Sequence, residues 1–294
     1  MSNAPASYAT RRWNPTTGCS PVAAGCANCW AARFAVRHAG RFGYPSAAPF
    51  TPTCHPDRLD EPLRWRKPQV VAVSFMGDLA HDGIDTEFIV NALGVMAGCR
   101  KHTFLVLTKR PQRLHTLLAR MACATVRGSS EHPWPLPNVW LGISCEDQRS
   151  ADERIPILLD TPAAHRWVSI EPQIGPVDLS RWLQPVAGYM LQRGSDCAHS
   201  AFATRLGWVV QGAESGLHRR PFDIAWARSV RDQCAAARVP YYLKQVQAPR
   251  LCDAGECSHE AGGCHDYDRC AGAVIKHALL DGVRHESTPF EVTP

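Results

Sequence analysis

The chain has 294 residues, of which 45% are apolar and 20% charged. A sizeable core is available, so wholesale disorder and a peptide-scale stapled fold are excluded. Lys and Arg total 32 against 27 Asp and Glu, a formal charge of +5, which permits a nucleic-acid partner without requiring one. No apolar run approaches the ~20 residues that span a bilayer, so no membrane partner is expected. Residues 1–12 lack the apolar stretch of a secretory signal and read as a flexible N-terminus. A cytoplasmic, reducing setting follows as an expectation. There, the 13 cysteines read as metal ligands or catalytic groups before disulfides.

The first informative stretch holds Cys19, Cys26 and Cys29, spaced C-x6-C-x2-C. Gly18 and Gly25 let this loop bend tightly. Cys26 and Cys29 lie one turn apart at the start of a predicted helix, Trp30–His38, and a helix N-terminus favours thiolate. A structural zinc site closes with four ligands, and Cys54 or His55 would supply the fourth. Three thiolates alone suit a [4Fe–4S] cluster with one iron open to a small molecule. On the cysteines by themselves zinc is at least as well supported.

A basic, aromatic stretch follows, Arg64-Trp65-Arg66-Lys67. Then short β-rich runs alternate with helical patterns. The runs are Val70–Phe75, Thr103–Leu107, Val139–Ile143, Arg166–Ile170, Trp208–Val210 and Pro240–Leu243. Most are continuously apolar, as strands buried on both faces of a parallel sheet are. Between them Ile84, Phe88, Ala92 and Met96 recur at helical spacing, with Asp85 or Thr86 as cap. Pro111 suits the first turn of a second helix. Shorter patterns cover Asp152–Asp160 and Trp226–Arg238, the latter capped by Asp223. This alternation predicts an α/β fold over residues 13–250, a partial or complete TIM-type β/α barrel. An open doubly wound sheet competes, but no strand is followed by G-x-G-x-x-G or a P-loop. Residues 273–294 read as a tail packing on the barrel.

Each run ends in polar residues: Asp78, then Lys109 and Arg110, then Ser144, Glu146 and Asp147, then Glu171, Glu214 and Lys244. In a barrel these positions converge on the C-terminal rim, where active sites lie. Carboxylates so close to apolar strands need partners. Lys109 and Lys244 fit Glu146, Glu171 and Glu214, either as a structural ring of ion pairs or as a binding site. Asp147 and Arg110 each read as a solvated loop charge or a helix cap. Arg64–Lys67, Arg110, Arg113, Arg219 and Arg220 together would make a positive rim suited to a phosphate-bearing substrate, although each alone reads as a surface cation. Residues 186–205 read as a loop insertion. Within 251–272, Cys252, Cys257, Cys264 and Cys270 are spaced C-x4-C-x6-C-x5-C with His259 and His265 interleaved. So few apolar neighbours predict a metal-ordered insert, zinc first and a second iron–sulfur cluster next, with free thiols as the remaining reading.

Trp13-Asn14-Pro15, Gly18-Cys19 and Gly25–Ala31 resemble the opening of the three-Cys-motif proteins, a phage- and prophage-associated family. Later blocks resemble it too: Gly77-Asp78, Leu107–Pro111, Trp140–Ser144, Ser169–Pro172, Gly175-Pro176, Gly212–Gly216, Lys244-Gln245 and Ala278–Gly282. The resemblance runs from about Trp13 to Glu286. It implies a barrel similar to that of radical S-adenosylmethionine enzymes, with [4Fe–4S] ligands at Cys19, Cys26 and Cys29. The open iron would chelate the amino and carboxylate groups of S-adenosylmethionine, whose reductive cleavage yields a 5′-deoxyadenosyl radical. Two departures stand out. The usual spacing there is C-x3-C-x2-C, and here Lys244-Gln245 runs into Val246 and a cysteine-rich insert instead of Trp-Gly.

The leading expectation is therefore a radical-SAM-like enzyme. Asp78, Ser144, Glu146 and Glu171 would bind the cofactor, while Lys109, Glu214 and Lys244 would face the substrate. A modified nucleic acid is the substrate considered. The alternatives are a zinc-stabilised nucleic-acid-binding protein without catalysis and a metal-dependent hydrolase using the rim carboxylates.

Overall fold

A computed structural model describes residues 8–128, 134–184, 205–216, 218–247 and 274–290. The chain opens with β1 (Arg11–Trp13), β2 (Thr16–Thr17), α1 (Trp30–Arg37) and β3 (Thr53–Cys54). Then come β4 (Val70–Val73), α2 (Thr86–Gly98), β5 (Thr103–Thr108), α3 (Pro111–Val126), β6 (Val139–Cys145) and α4 (Gln148–Asp160). β7 (His165–Ile170), α5 (Ser180–Leu183), β8 (Trp208–Gly212), α6 (Ile224–Ala237) and β9 (Tyr241–Gln247) complete the alternation. The described chain ends with β10 (Val274–Lys276), β11 (Leu279–Leu280) and β12 (Val283–Arg284).

Eight strands form one sheet in the order β1-β4-β5-β6-β7-β8-β9-β10. Every pair from β1 to β9 is parallel, and β10 adds antiparallel to β9. From β4 to β9 spatial order follows chain order. A doubly wound sheet would reverse direction at a switch point, so that competitor is excluded. Among the described residues β1 and β10 are the sheet's two edges. The architecture is a mixed α/β fold whose parallel sheet curls into a half-barrel.

Local chemistry accounts for the helices. Asp85 precedes α2, whose Ile89, Ala92, Leu93 and Met96 are buried. Pro111 opens α3. α4 begins four residues before its expected start, because Asp147 accepts from the Ser150 backbone at 2.9 Å in a capping box. The Asp223 side chain accepts from the Ala225 backbone at 2.8 Å and starts α6.

Strand alternation sorts the core in two. Val71, Val73, Phe104, Val106, Leu141, Ile143, Val168, Val209 and Leu243 pack on the helices. Ala72, Leu105, Trp140, Trp167, Trp208, Val210 and Tyr242 fill the opposite, inner face. Trp167 lies 5.1 Å from Trp208 between ring centres, and its register partner Gly142 has no Cβ to collide with it. Tyr8 completes this floor, 1% exposed, its ring 5.2 Å from Trp208 and 5.4 Å from Tyr242. Residues 8–12 are structured, because Tyr8 buries its ring under the tryptophans and β1 pairs with β4.

The C-terminal segment closes over the same floor. Asp281 and Gly282, both at positive φ, turn the β11–β12 hairpin. Leu243 donates to the His285 carbonyl at 2.7 Å, and the Phe290 ring stands 5.2 Å from Trp208. Among the described residues no helix is long and apolar enough to cross a membrane.

Candidate functional site

The inner face changes character at the C-terminal ends of its strands. There a cavity of about 200 Å³ opens between the sheet and the cysteine loop. Cys19, Cys26 and Cys29 all line it, as do Asp78, Lys109, Ser144, Glu171, Glu214 and Lys244. Of the strand-end residues expected at the rim, Glu146 and Asp147 are set back, Glu146 buried behind Gly25 and Asp147 at the start of α4.

The cysteine loop is tied down at both sides of the half-barrel. Gly18 bridges Gly77 in parallel register after β4. It sits at φ +82°, and a Cβ on Gly77 would lie 2.6 Å from the Gly18 carbonyl, so both positions demand glycine. On the far side Asn28 donates to Glu214 at 3.1 Å, Arg33 to the Ser215 carbonyl at 3.1 Å, and Arg220 to the Ala24 carbonyl at 2.9 Å. Between these anchors, Cys26 ends a short 3-10 turn and Cys29 caps α1. A Cβ on Gly25 would meet the Lys109 ammonium at 2.8 Å. Glycine here lets the loop backbone lie directly on the sheet's charged rim.

Each rim carboxylate has a cation. Glu146 binds Arg154 at 3.1 Å and Lys109 at 3.3 Å. Glu171 receives two hydrogen bonds from Lys244, at 2.6 and 2.9 Å. Glu214 pairs with Arg220 at 2.5 Å. Asp78 accepts from Thr108 at 2.7 Å, from the Ala80 backbone at 2.9 Å and from Arg110 at 3.1 Å. Burial alone would raise the Glu214 carboxyl, but hydrogen bonds from Arg220 and Asn28 hold it below the usual carboxylate range. These four carboxylates meet five cations, a balance that leaves room for an anionic group.

Arg110 corrects an expectation. Read as a solvated charge or a helix cap, it makes no side-chain cap to α3 and is instead largely buried, its guanidinium reaching the Cys19 sulfur at 3.3 Å as well as Asp78. It also donates to the Ser20 carbonyl at 3.0 Å. Burial and the Asp78 charge still push the Cys19 thiol up, against the pull of Arg110. Asp147, by contrast, is a helix cap, one of the two roles open for it in the sequence. The expected positive rim divides. Arg110 and Arg220 reach the site, whereas Arg113 binds the carbonyls of His81 and Ile84, and Arg64 pairs with Asp60 in solvent. Trp65 lies beneath Arg11.

Residues 3–289 match the family model DUF5131, described as a protein of unknown function. The chain belongs to the DUF5131 family. No curated protein and no solved structure matches it. In this DUF5131 chain the matched span takes in the cysteine loop, all six core strands and the tail.

The donor set can be tested against the groups expected of it. Among the described residues no three His, Cys, Asp or Glu side chains lie close enough to hold a single metal ion. Cys54 and His55, the fourth zinc ligands considered, do not line the cavity with the three cysteines. Cys54 pairs in β3 with Thr16, and the His55 ring is bonded to the Thr17 hydroxyl at 2.8 Å. Cys19, Cys26 and Cys29 all line one cavity, and in a cluster each cysteine would bind a different iron. Cys99, Cys145 and Cys234 are buried. Burial pushes the Cys145 thiol up to about 12, as it does that of Cys234, so these are inert apolar residues. Cys252, Cys257, Cys264 and Cys270 lie outside the described residues.

Four side chains that the sequence did not single out help build the site. Arg154 reaches Glu146 from α4, and Asn28 reaches Glu214 from the cysteine loop. Thr108 orients Asp78. Tyr8 lines the cavity floor, where burial and the Glu171 charge hold its hydroxyl protonated. Thr108 alone carried a signal, since it directly precedes Lys109 at a strand end.

Proposed function

We propose that this protein is an iron–sulfur enzyme of the radical-SAM kind, with a [4Fe–4S] cluster on Cys19, Cys26 and Cys29 and S-adenosylmethionine in the adjoining cavity. The observation that supports it most is convergence. Three thiols from one loop and the polar ends of six consecutive parallel strands open onto a single cavity. When bound, such a cluster supplies the electron for reductive cleavage of S-adenosylmethionine.

The chain's own residues then have distinct tasks. Glu171 and Lys244 face the cavity as a hydrogen-bonded pair, each about a fifth exposed. Glu171 is suited to contact the ribose and amino end of the cofactor, and Lys244 holds it there while bordering the substrate side. Ser144 donates to the Glu171 carbonyl at 3.2 Å and holds that turn. Glu146 is buried and doubly paired, so it acts through Lys109, whose ammonium it points at the loop. Asp78 acts in the same way through Arg110. Glu214, kept anionic by Arg220, fixes the far end of the cysteine loop through Asn28 and borders the substrate side. The dry tryptophan floor excludes water from beneath.

The test is anaerobic purification with iron, sulfide and zinc counted per chain, and EPR of the reduced protein with and without S-adenosylmethionine. Roughly four irons at this site and a spectrum perturbed by S-adenosylmethionine are expected; further metal belongs to Cys252, Cys257, Cys264 and Cys270. Cys26→Ala should lose the cluster and keep the fold by circular dichroism. Zinc alone after reconstitution overturns the proposal and leaves a zinc-stabilised nucleic-acid-binding protein.

A further inference from the structure

A second concavity adjoins the first. It encloses about 1580 Å³ and shares Trp30, the residue after Cys29, with the cysteine cavity. Its walls come from β1, α1, the turn after α1 and the segment before β4.

Two properties set it apart. The first is charge. Arg11, Arg12, Arg37, Arg58 and Lys67 line it against one carboxylate, Glu61. Cations gathered in a groove repel one another and raise the local concentration of anions. The second is exposed aromatic surface. Among the described residues only two aromatic side chains are exposed, Trp30 at 42% and Phe42 at 58%, and both lie here. Phe42 is held outward on a left-handed backbone (φ 52°), with Arg58 donating to its carbonyl at 2.7 Å. Behind it Phe34 and His38 stack at 4.1 Å, and the His38 ring lies 5.5 Å from Phe42.

We propose that this groove binds single-stranded nucleic acid, phosphates along the cations and bases stacked on Phe42 and Trp30. A small phosphate would meet the charges but leave the aromatic faces in water. A duplex would meet the charges too, but its base faces are already stacked on one another. A single strand satisfies both features at once. Because Trp30 belongs to both concavities, a strand in the groove carries a nucleotide to the cavity mouth. Binding stands on the groove alone; that the bound nucleotide is the substrate rests on the proposed reading of the cavity.

The experiment titrates the full-length protein into labelled single strands of about 12 nucleotides, a length within the usual site sizes. One strand is RNA and one DNA, with the duplex of the same sequence as comparison, each at low and moderate salt. Single strands should bind at least tenfold more tightly than duplex. Phe42→Ala should weaken binding about fivefold or more, the scale of one lost base stack. Arg37→Glu with Lys67→Glu should weaken it further and flatten its salt dependence by one to two phosphate contacts. All three side chains are exposed, and unchanged melting curves will certify the folds. A preference for RNA or for DNA names the source, and equal affinity supports the shared chemistry. Equal binding of duplex, no binding at low salt, or parent-like binding by both groove variants overturns the proposal. Loss of groove binding with the iron and EPR signals intact removes this inference alone. Binding without any cluster removes the cofactor reading alone.

Discussion

At the N-terminal ends of β6, β7 and β8 the inner face carries Trp140, Trp167 and Trp208, all buried. Further along β6 and β7 the same face carries Ser144 and Ser169, which line the cavity. Two ends of one surface thus do opposite work. The floor is dry, aromatic and covered by Tyr8 and Phe290. The rim is ionic, and its groups hold one another and the cysteine loop. The contrast teaches how a parallel half-barrel supports a charged cavity. Apolar burial is concentrated where no chemistry is needed, so the rim can keep charges that would weaken a core.

Breaking the floor should have the largest effect. Trp167→Ala removes a fully buried ring and should cost about 3–5 kcal/mol in urea unfolding. A loss below about 1 kcal/mol would mean that the floor is not the stabilising end. Breaking the rim comes next. Arg154→Met leaves Glu146 with Lys109 only and should cost about 3 kcal/mol, most of it recovered when Glu146→Leu is added. Additive losses in that pair would show that the two do not act as a unit.

Smaller changes sharpen the contrast at its margins. Gly18→Ala forces a Cβ at positive φ and should cost about 1–3 kcal/mol, with faster alkylation of Cys19. Unchanged alkylation would show that the loop is not anchored there. The smallest effect lies in the tail that covers the floor. Hydrogen bonds from Arg228 and Arg231 push the Asp281 carboxyl down to about 2. A depressed carboxyl stabilises above its unfolded value, near 3.9, and loses that contribution as pH falls toward 2. Protection of the β11–β12 backbone relative to intrinsic exchange should therefore fall over that window, and Asp281→Asn should abolish that fall. A flat profile in the parent protein would separate the tail from α6.

Much of the scaffold was legible because it rests on local chemistry. The six apolar runs became β4 to β9, and Asp223 and Pro111 stand where helix starts were read. That Lys109 and Lys244 would partner rim carboxylates also followed from strand ends meeting at one rim, whereas Glu214 took Arg220 instead. Arg110 was misread, since its partner sulfur lies 91 positions away. Arg154 was missed because a cation in a short amphipathic helix looks like any solvated one. Tyr8 was missed because a single aromatic in a polar N-terminus carries no periodicity.

The sequence by itself determined the strand–helix alternation, the positions of the caps and the set of polar groups at the strand ends. Those depend on side-chain period and on hydrogen bonds spanning a few residues. Only the tertiary structure decided which cation meets which carboxylate, that the cysteine loop lies across the rim, and that Trp30 and Phe42 remain in water. Such outcomes depend on packing between segments tens to hundreds of residues apart, and composition and spacing along the chain do not encode those distances.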